Sequence, residues 1–209
     1  MAPNIAHRRA AKTVRRKKLL ASRRAAEPVS LAERVRRLAT GQLRCCLMQQ
    51  EAGIKSVFLA RETHTGEIAL AAFLVDAFAL GIKDVFFSVM QPSEFEAFLS
   101  AAQDAAPAVP VDPSYARKLV RNAAAYAATL GLRPPRQFVS IERLFGDVRA
   151  EDCAETFVFG RDGKPFYVIG PTETARQVAN RLQHLADQLG PEGFDVVIPE
   201  EDGNDADAA

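Results

Sequence analysis

The hydrophobic pattern is densest between Gly53 and Met90, GIKSVFLARETHTGEIALAAFLVDAFALGIKDVFFSVM, the longest apolar stretch of the chain. Ser56 to Glu62 carries Val57, Phe58 and Leu59, and Val and Phe are residue types that suit a pleated surface. Thr63-His64-Thr65-Gly66 is a polar break ending in glycine, as a short hairpin loop requires. Ile68 to Val75 follows without a charge, and a run lacking a polar face fits a strand covered on both sides. Alanine is frequent from Ile68 to Leu80, so periodicity also admits a buried helix there. The strand is the reading adopted for its first half. Phe78 to Gly81 reads as a bend, and Val85 to Val89 as a further strand stopped before Pro92.

Helical periodicity marks the flanks. Ser30-Leu31-Ala32-Glu33 is a capping box, followed by Leu31, Val35, Leu38 and Ala39 at helical spacing. Gly41 either ends this helix or is passed through as far as Met48, with Cys45, Cys46 and Leu47 facing the core. Ser93 to Glu96 is a second capping box, starting a helix to about Gln103 with Phe95, Phe98 and Leu99 inward. A third helix is expected from Tyr115 to Leu130, capped by Ser114 and closed by Gly131. A short one follows around Ile141 to Phe145. Thr156-Phe157-Val158-Phe159 and Pro165 to Ile169 flank Gly160-Arg161-Asp162-Gly163, which reads as a second hairpin. Gly170-Pro171-Thr172 opens the last helix, to Leu189, and Phe194 to Ile198 reads as a final strand.

The expected fold is α+β: a mixed, mainly antiparallel sheet built from two hairpins with helices packed on it, plus charged terminal tails. The expected division is a basic, disordered tail over 1–29, one α+β domain over 30–199 with a Pro-rich joint near 107–113, and an acidic tail over 200–209.

Charge sharpens this picture. Met1 to Arg37 holds twelve Lys/Arg against two acids, Glu192 to Ala209 holds seven acids and no base, and the intervening body is nearly neutral. The net charge of +1 is therefore the average of a basic head and an acidic end. The head clusters its cations as Arg8, Arg9, Lys12, Arg15, Arg16, Lys17, Lys18, Arg23 and Arg24. Clustered cations attract polyanions by counterion release with little demand on geometry. The expected function is non-enzymatic binding of nucleic acid, RNA or a ribonucleoprotein, through this arm. No aromatic residue is interleaved, so base stacking is not indicated. An anionic membrane, a targeting role and a purely solvated tail are the competing readings.

Candidate chemistry is sparse. Asp76 and Asp84, with Lys83 between them and Glu62 or Glu67 as a third acid, offer an alternative reading as a metal-dependent nuclease or hydrolase. Against it, Asp76 simply ends a strand while Lys83 and Asp84 face solvent. His64 lies at a turn tip without a placed partner, weak grounds for acid–base work. Gly160 to Pro165 lacks the Walker spacing and is explained as a turn. A third reading is an interaction scaffold that docks a protein partner through its charged ends. Nothing indicates a cofactor or a metal centre: Cys45, Cys46 and Cys153, with three scattered histidines, fit reduced thiols of a cytoplasmic protein. No apolar run reaches the length of a membrane span. The Arg- and Ala-rich first 26 residues, free of acids, also have the composition of a mitochondrial presequence.

Overall fold

The computed structural model describes residues 29–50, 52–170 and 173–197. Its centre is a five-stranded antiparallel sheet in the order β4-β3-β2-β1-β5. The strands are β1 (Leu43–Gln49), β2 (Ile54–Glu62), β3 (Ile68–Asp76), β4 (Gly81–Met90) and β5 (Ala108–Val111). Five helices are described: α1 (Leu31–Leu38), α2 (Pro92–Gln103), α3 (Pro113–Thr129), α4 (Phe138–Glu142) and α5 (Ala175–Leu189). A two-stranded parallel ribbon, β6 (Phe166–Val168) with β7 (Asp195–Val197), completes the α+β architecture. No helix among the described residues is long and apolar enough to cross a membrane.

The hairpin read around Thr63 to Gly66 forms with Glu62 opposite Ile68, and β3 runs through to Asp76 as strand. Its uncharged sequence is explained by two coverings. Ala69, Ala71, Phe73 and Val75 join Val57 and Leu59 of β2 against α1, α3 and α4. Leu70 and Ala72 face the other way with Phe58 and Met48, towards Phe95, Phe98 and Ala102 of α2. Phe73 is fully buried between Phe138 (6.0 Å, edge-on) and Phe145 (6.1 Å, stacked). On the opposite face Phe98 meets Phe58 edge-on at 5.8 Å and stacks on Phe86 at 6.2 Å.

A smaller core lies beside the sheet. Ala79, Leu80, Leu130, Tyr167 and Leu185 are buried together, joining the β3–β4 turn, the end of α3, the ribbon and α5. Main-chain bonds stitch this satellite to the turn: Gly160 N–H donates to Ala77 O (2.9 Å) and Phe166 N–H to Phe78 O (3.0 Å).

Several local readings are revised. α1 stops at Leu38 with Ala39 as its C-cap, before Gly41 is reached, and Leu43 to Gln49 is a strand, so Cys45 and Leu47 face the main core while Cys46 faces α2. The Pro-rich stretch read as a joint carries β5, an edge strand on β1, where Pro110 is tolerated at the margin of the sheet. The second hairpin keeps its turn, with Arg161 bridged to Lys164, but its arms do not pair as a ladder. Phe157 and Phe159 instead pack on Tyr115 (5.0 Å) and Tyr126 (5.2 Å) of α3, and β6 pairs with the distant β7. Two helix starts move: α2 is capped by the Gln91/Glu94 box and α3 by Asp112, each placing a proline in the first turn. Glu33 likewise closes only half of its box. Ser30 accepts its N–H, but its carboxylate pairs with Arg36 and Arg37.

One buried cation ties these layers together. Arg61 follows Val57 and Leu59 on the inward side of β2 and is 6% exposed. It donates to Leu144 O and Phe145 O, both at 2.8 Å, and to Gly41 O. These carbonyls close the helical run 138–145 and the α1–β1 connection, so the guanidinium meets a helix C-terminus, where positive charge is favoured. Burial pulls its pKa down, opposed by Cys45 and Asp147.

Two expectations follow. Arg61→Met keeps the stem and removes the donors, leaving buried carbonyls unpaired, and should cost about 3 kcal/mol in urea unfolding. A change below about 0.5 kcal/mol would show that the carbonyls find other partners. Gly81 has φ +65° and an added Cβ would lie 2.4 Å from Ala123 O of α3. Gly81→Ala should therefore destabilise by more than about 1 kcal/mol by the same measurement.

Candidate functional site

The β3–β4 connection builds a polar corner. Asp76 ends β3 and is 2% exposed. Its Oδ1 accepts the N–H groups of Phe78 (2.9 Å) and Ala79 (3.0 Å), so its carboxylate holds the turn. Burial pushes its pKa up, against these N–H groups and the Lys83 charge.

Lys83 is the extra residue of a β-bulge. Leu74 pairs with Asp84 and Val75 with Ile82, which leaves Lys83 without a partner across β3. Bulges re-aim a side chain away from strict alternation. Here the ammonium lies 3.7 Å from Glu173 Oε1. A Cβ on Gly170 would come within 2.9 Å of Nζ, so the absence of a side chain there makes room for it. Burial lowers the Lys83 pKa, the Asp76 charge raises it, and Arg181 lowers it further.

Glu173, with a side chain 6% exposed, is the hub of this corner. Its Oε2 accepts the Tyr167 hydroxyl and the Gly170 N–H, both at 2.8 Å. Its Oε1 accepts no hydrogen bond of regular geometry and is matched by charge, facing Arg181 of α5 and Lys83. Arg181 also lies over the Tyr167 ring at 5.9 Å. Beside this group opens a recess of about 210 Å³, lined by Leu80, Ile82, Lys83, Leu132, Arg133, Pro135 and Arg181.

The sequence-derived candidates fall in different places. Asp76 and Lys83 share this corner. Asp84 is exposed, and its Oδ1 accepts the adjacent Val85 N–H at 2.8 Å. His64 is exposed at the tip of the β2–β3 turn, between Thr63 and Thr65, whose hydroxyls bond to each other at 2.8 Å. Glu62 is exposed, and Glu67 Oε2 accepts the Thr65 hydroxyl. Among the described residues no three His, Cys, Asp or Glu side chains are grouped to hold a metal ion. The nine arm cations, Arg8 to Arg24, and Pro171 and Thr172 lie outside the described residues. The last helix begins at Ala175 under a Thr174/Gln177 capping box.

A second, larger cavity of about 360 Å³ lies between α2 and the β1–β5 side of the sheet. Its walls are mostly apolar, with Phe58, Phe95, Leu99 and Val111 around the Cys46 thiol and Arg44. The adjacent cysteines point to opposite faces and are free, as is Cys153. Burial pushes the Cys45 pKa to about 12, so this thiol stays protonated at neutral pH.

Sequence reasoning missed Glu173, Arg181, Tyr167 and Arg133. No local motif joins residues brought together from β4, the α3–α4 segment, β6 and α5. Comparison of the chain with protein-family models, with curated proteins and with solved structures gives no match in any of the three.

The burial of Asp76 has a measurable consequence. Its folded pKa is raised above the ordinary 3.8, so the native state holds the proton more tightly than the unfolded chain. Stability from this group is present below that ordinary value and is lost as pH rises through the folded pKa. Asp76→Asn keeps an Oδ1 acceptor without the charge. Its stability relative to wild type should rise between pH 3.5 and pH 7 in paired urea titrations. A pH-independent difference would show that burial does not disfavour this carboxylate.

Proposed function

We propose that the protein is a non-enzymatic RNA-binding protein of the cytoplasm that engages phosphate backbones through its N-terminal arm. The observation that carries the reading is the density of charge: nine Lys/Arg between Arg8 and Arg24, with no acid before Glu27. The body from Leu38 to Pro191, with fifteen bases and seventeen acids, adds no comparable attraction. Such an arm binds by releasing counterions, so affinity depends on salt more than on base sequence. Arg and Lys are good helix formers. The acidic end, with seven acids after Pro191, offers the arm a competing charge partner. Three free thiols, two of them buried, fit a reducing compartment.

Replacing the nine arm cations by glutamine in the full chain should abolish binding to single-stranded RNA, read by fluorescence anisotropy at low salt. For the unmodified chain, each phosphate engaged should add about −0.7 to the slope of log affinity against log salt. Binding that survives the replacement, or a flat salt dependence, would overturn the assignment.

A further inference from the structure

The recess between the start of β4, the α3–α4 segment and α5 is a second charged feature, independent of the arm. We propose that it is a binding site for a phosphate monoester with a small apolar body.

Three cations from three elements line it: Lys83 at the bulge, Arg133 after α3 and Arg181 on α5. Two are held in place rather than free to swing. Lys83 and Arg181 side chains are 18% and 29% exposed, and both are anchored on the buried Glu173. Glu173 is itself fixed by Tyr167 and the Gly170 N–H. An anchor of this kind sets the cation geometry before a ligand arrives, which lowers the ordering cost of binding. Arg133 is exposed at the mouth and, among the described residues, has no carboxylate partner.

Charge selects the ligand. Lys83, Arg133 and Arg181 against Glu173 leave two positive charges unmatched. Asp76 lies behind Lys83, where two turn N–H groups occupy its Oδ1, so at least one unmatched charge remains even with that carboxylate ionised. A phosphate monoester brings close to two negative charges and three acceptor oxygens at neutral pH. Guanidinium groups present forked donors suited to such oxygens, and the ammonium supplies a third point. The remaining lining is apolar, from Leu80, Ile82, Leu132 and Pro135. A volume of about 210 Å³ equals about seven waters and admits a ring-sized body attached to the phosphate. The position, at a seam between two cores, is one where ligand sites tend to form.

The test is a methyl NMR titration of the full chain with phenyl phosphate, following Leu80, Ile82 and Leu132. Saturable shifts of these methyls are expected, with a midpoint of about millimolar or below. Inorganic phosphate and benzoate should each bind more weakly, the first for want of apolar contact and the second for want of charge. Arg133→Glu should weaken phenyl phosphate about tenfold or more, since one charge-assisted contact is lost and a repulsive one gained. Arg133 is exposed, so the variant should keep its thermal midpoint. Arg136→Glu, outside the recess, and Arg15→Ala with Arg16→Ala, in the arm, should leave the titration unchanged.

No saturable shift at these methyls would overturn the site. So would an Arg133→Glu variant that binds like wild type, or loss of the shifts on changing the arm. Equal binding of inorganic phosphate or benzoate would overturn the ligand class. RNA binding by the arm is read separately, and neither result decides the other.

Discussion

The constraint on which the structure turns is that β3 has no face suited to water. Its nine residues include one ionisable group, at the very end, and its side chains are buried alternately on both sides. A strand of this kind requires cover above and below. The chain supplies it in two instalments. The first is α2, laid across one face directly after β4. The second is α3 with α4, joined by α1 from the opposite end of the sequence. The order of elements follows from this requirement more than from helix propensity. Short helices such as α1 and α4 have little stability of their own and exist because their apolar sides complete a core.

Covering both faces creates seams, and the buried charges lie at the seams. Arg61 joins the sheet to the α1–β1 connection and the end of the helical run 138–145. Arg117 of α3 joins Glu142 at 2.8 Å and the Gly146 and Val148 carbonyls, with Arg121 on the same carboxylate. Glu173 joins the ribbon and α5 to β4. Buried ion pairs add little net stability, because desolvation offsets attraction, but their loss leaves an unmatched charge. They fix which elements meet. The Arg61 cluster uses its donors on carbonyls of the chain, as does Arg117 in the second, where only Arg121 reaches the surface. The third opens onto a recess with cations to spare, which separates a structural seam from a candidate site.

What was legible in the sequence was what is local. The first hairpin, the bend at Phe78 to Gly81, and the helices ended by Gly131 and Gly190 depend on neighbours within a few residues. The misread elements depend on distant partners. Leu43 to Gln49 has no aromatic and no β-branched residue, and becomes a strand only because β2 and β5 border it. Pro110 argues against a strand until an edge is available. Thr156 to Phe159 has the composition of a strand, yet its aromatics gain more by packing on α3, and β6 finds its partner almost thirty residues onward. Arg61 was readable in principle, as a charge on the inward parity of Val57 and Leu59. The Glu173 group was not, since nothing near Lys83 in sequence announces Arg181.

The spacing within β4 shows how one local irregularity serves both the core and the recess. Ile82 and Val85 are three residues apart, yet both face the main core, with Phe87 packed against the same side. A regular strand would place residues 82, 84, 86 and 88 together. Asp84 and Ser88 would then turn inward, and Val85 and Phe87 outward. The bulge absorbs the extra residue, restores the apolar side, and frees Lys83 from either face. The odd interval from Ile82 to Val85 is thus a sequence signature of the bulge. A lysine as the absorbed residue is not required by packing, since any side chain freed from the ladder would restore the register. Its contact with Glu173, against a glycine that leaves it room, is the part of the arrangement that the core does not explain.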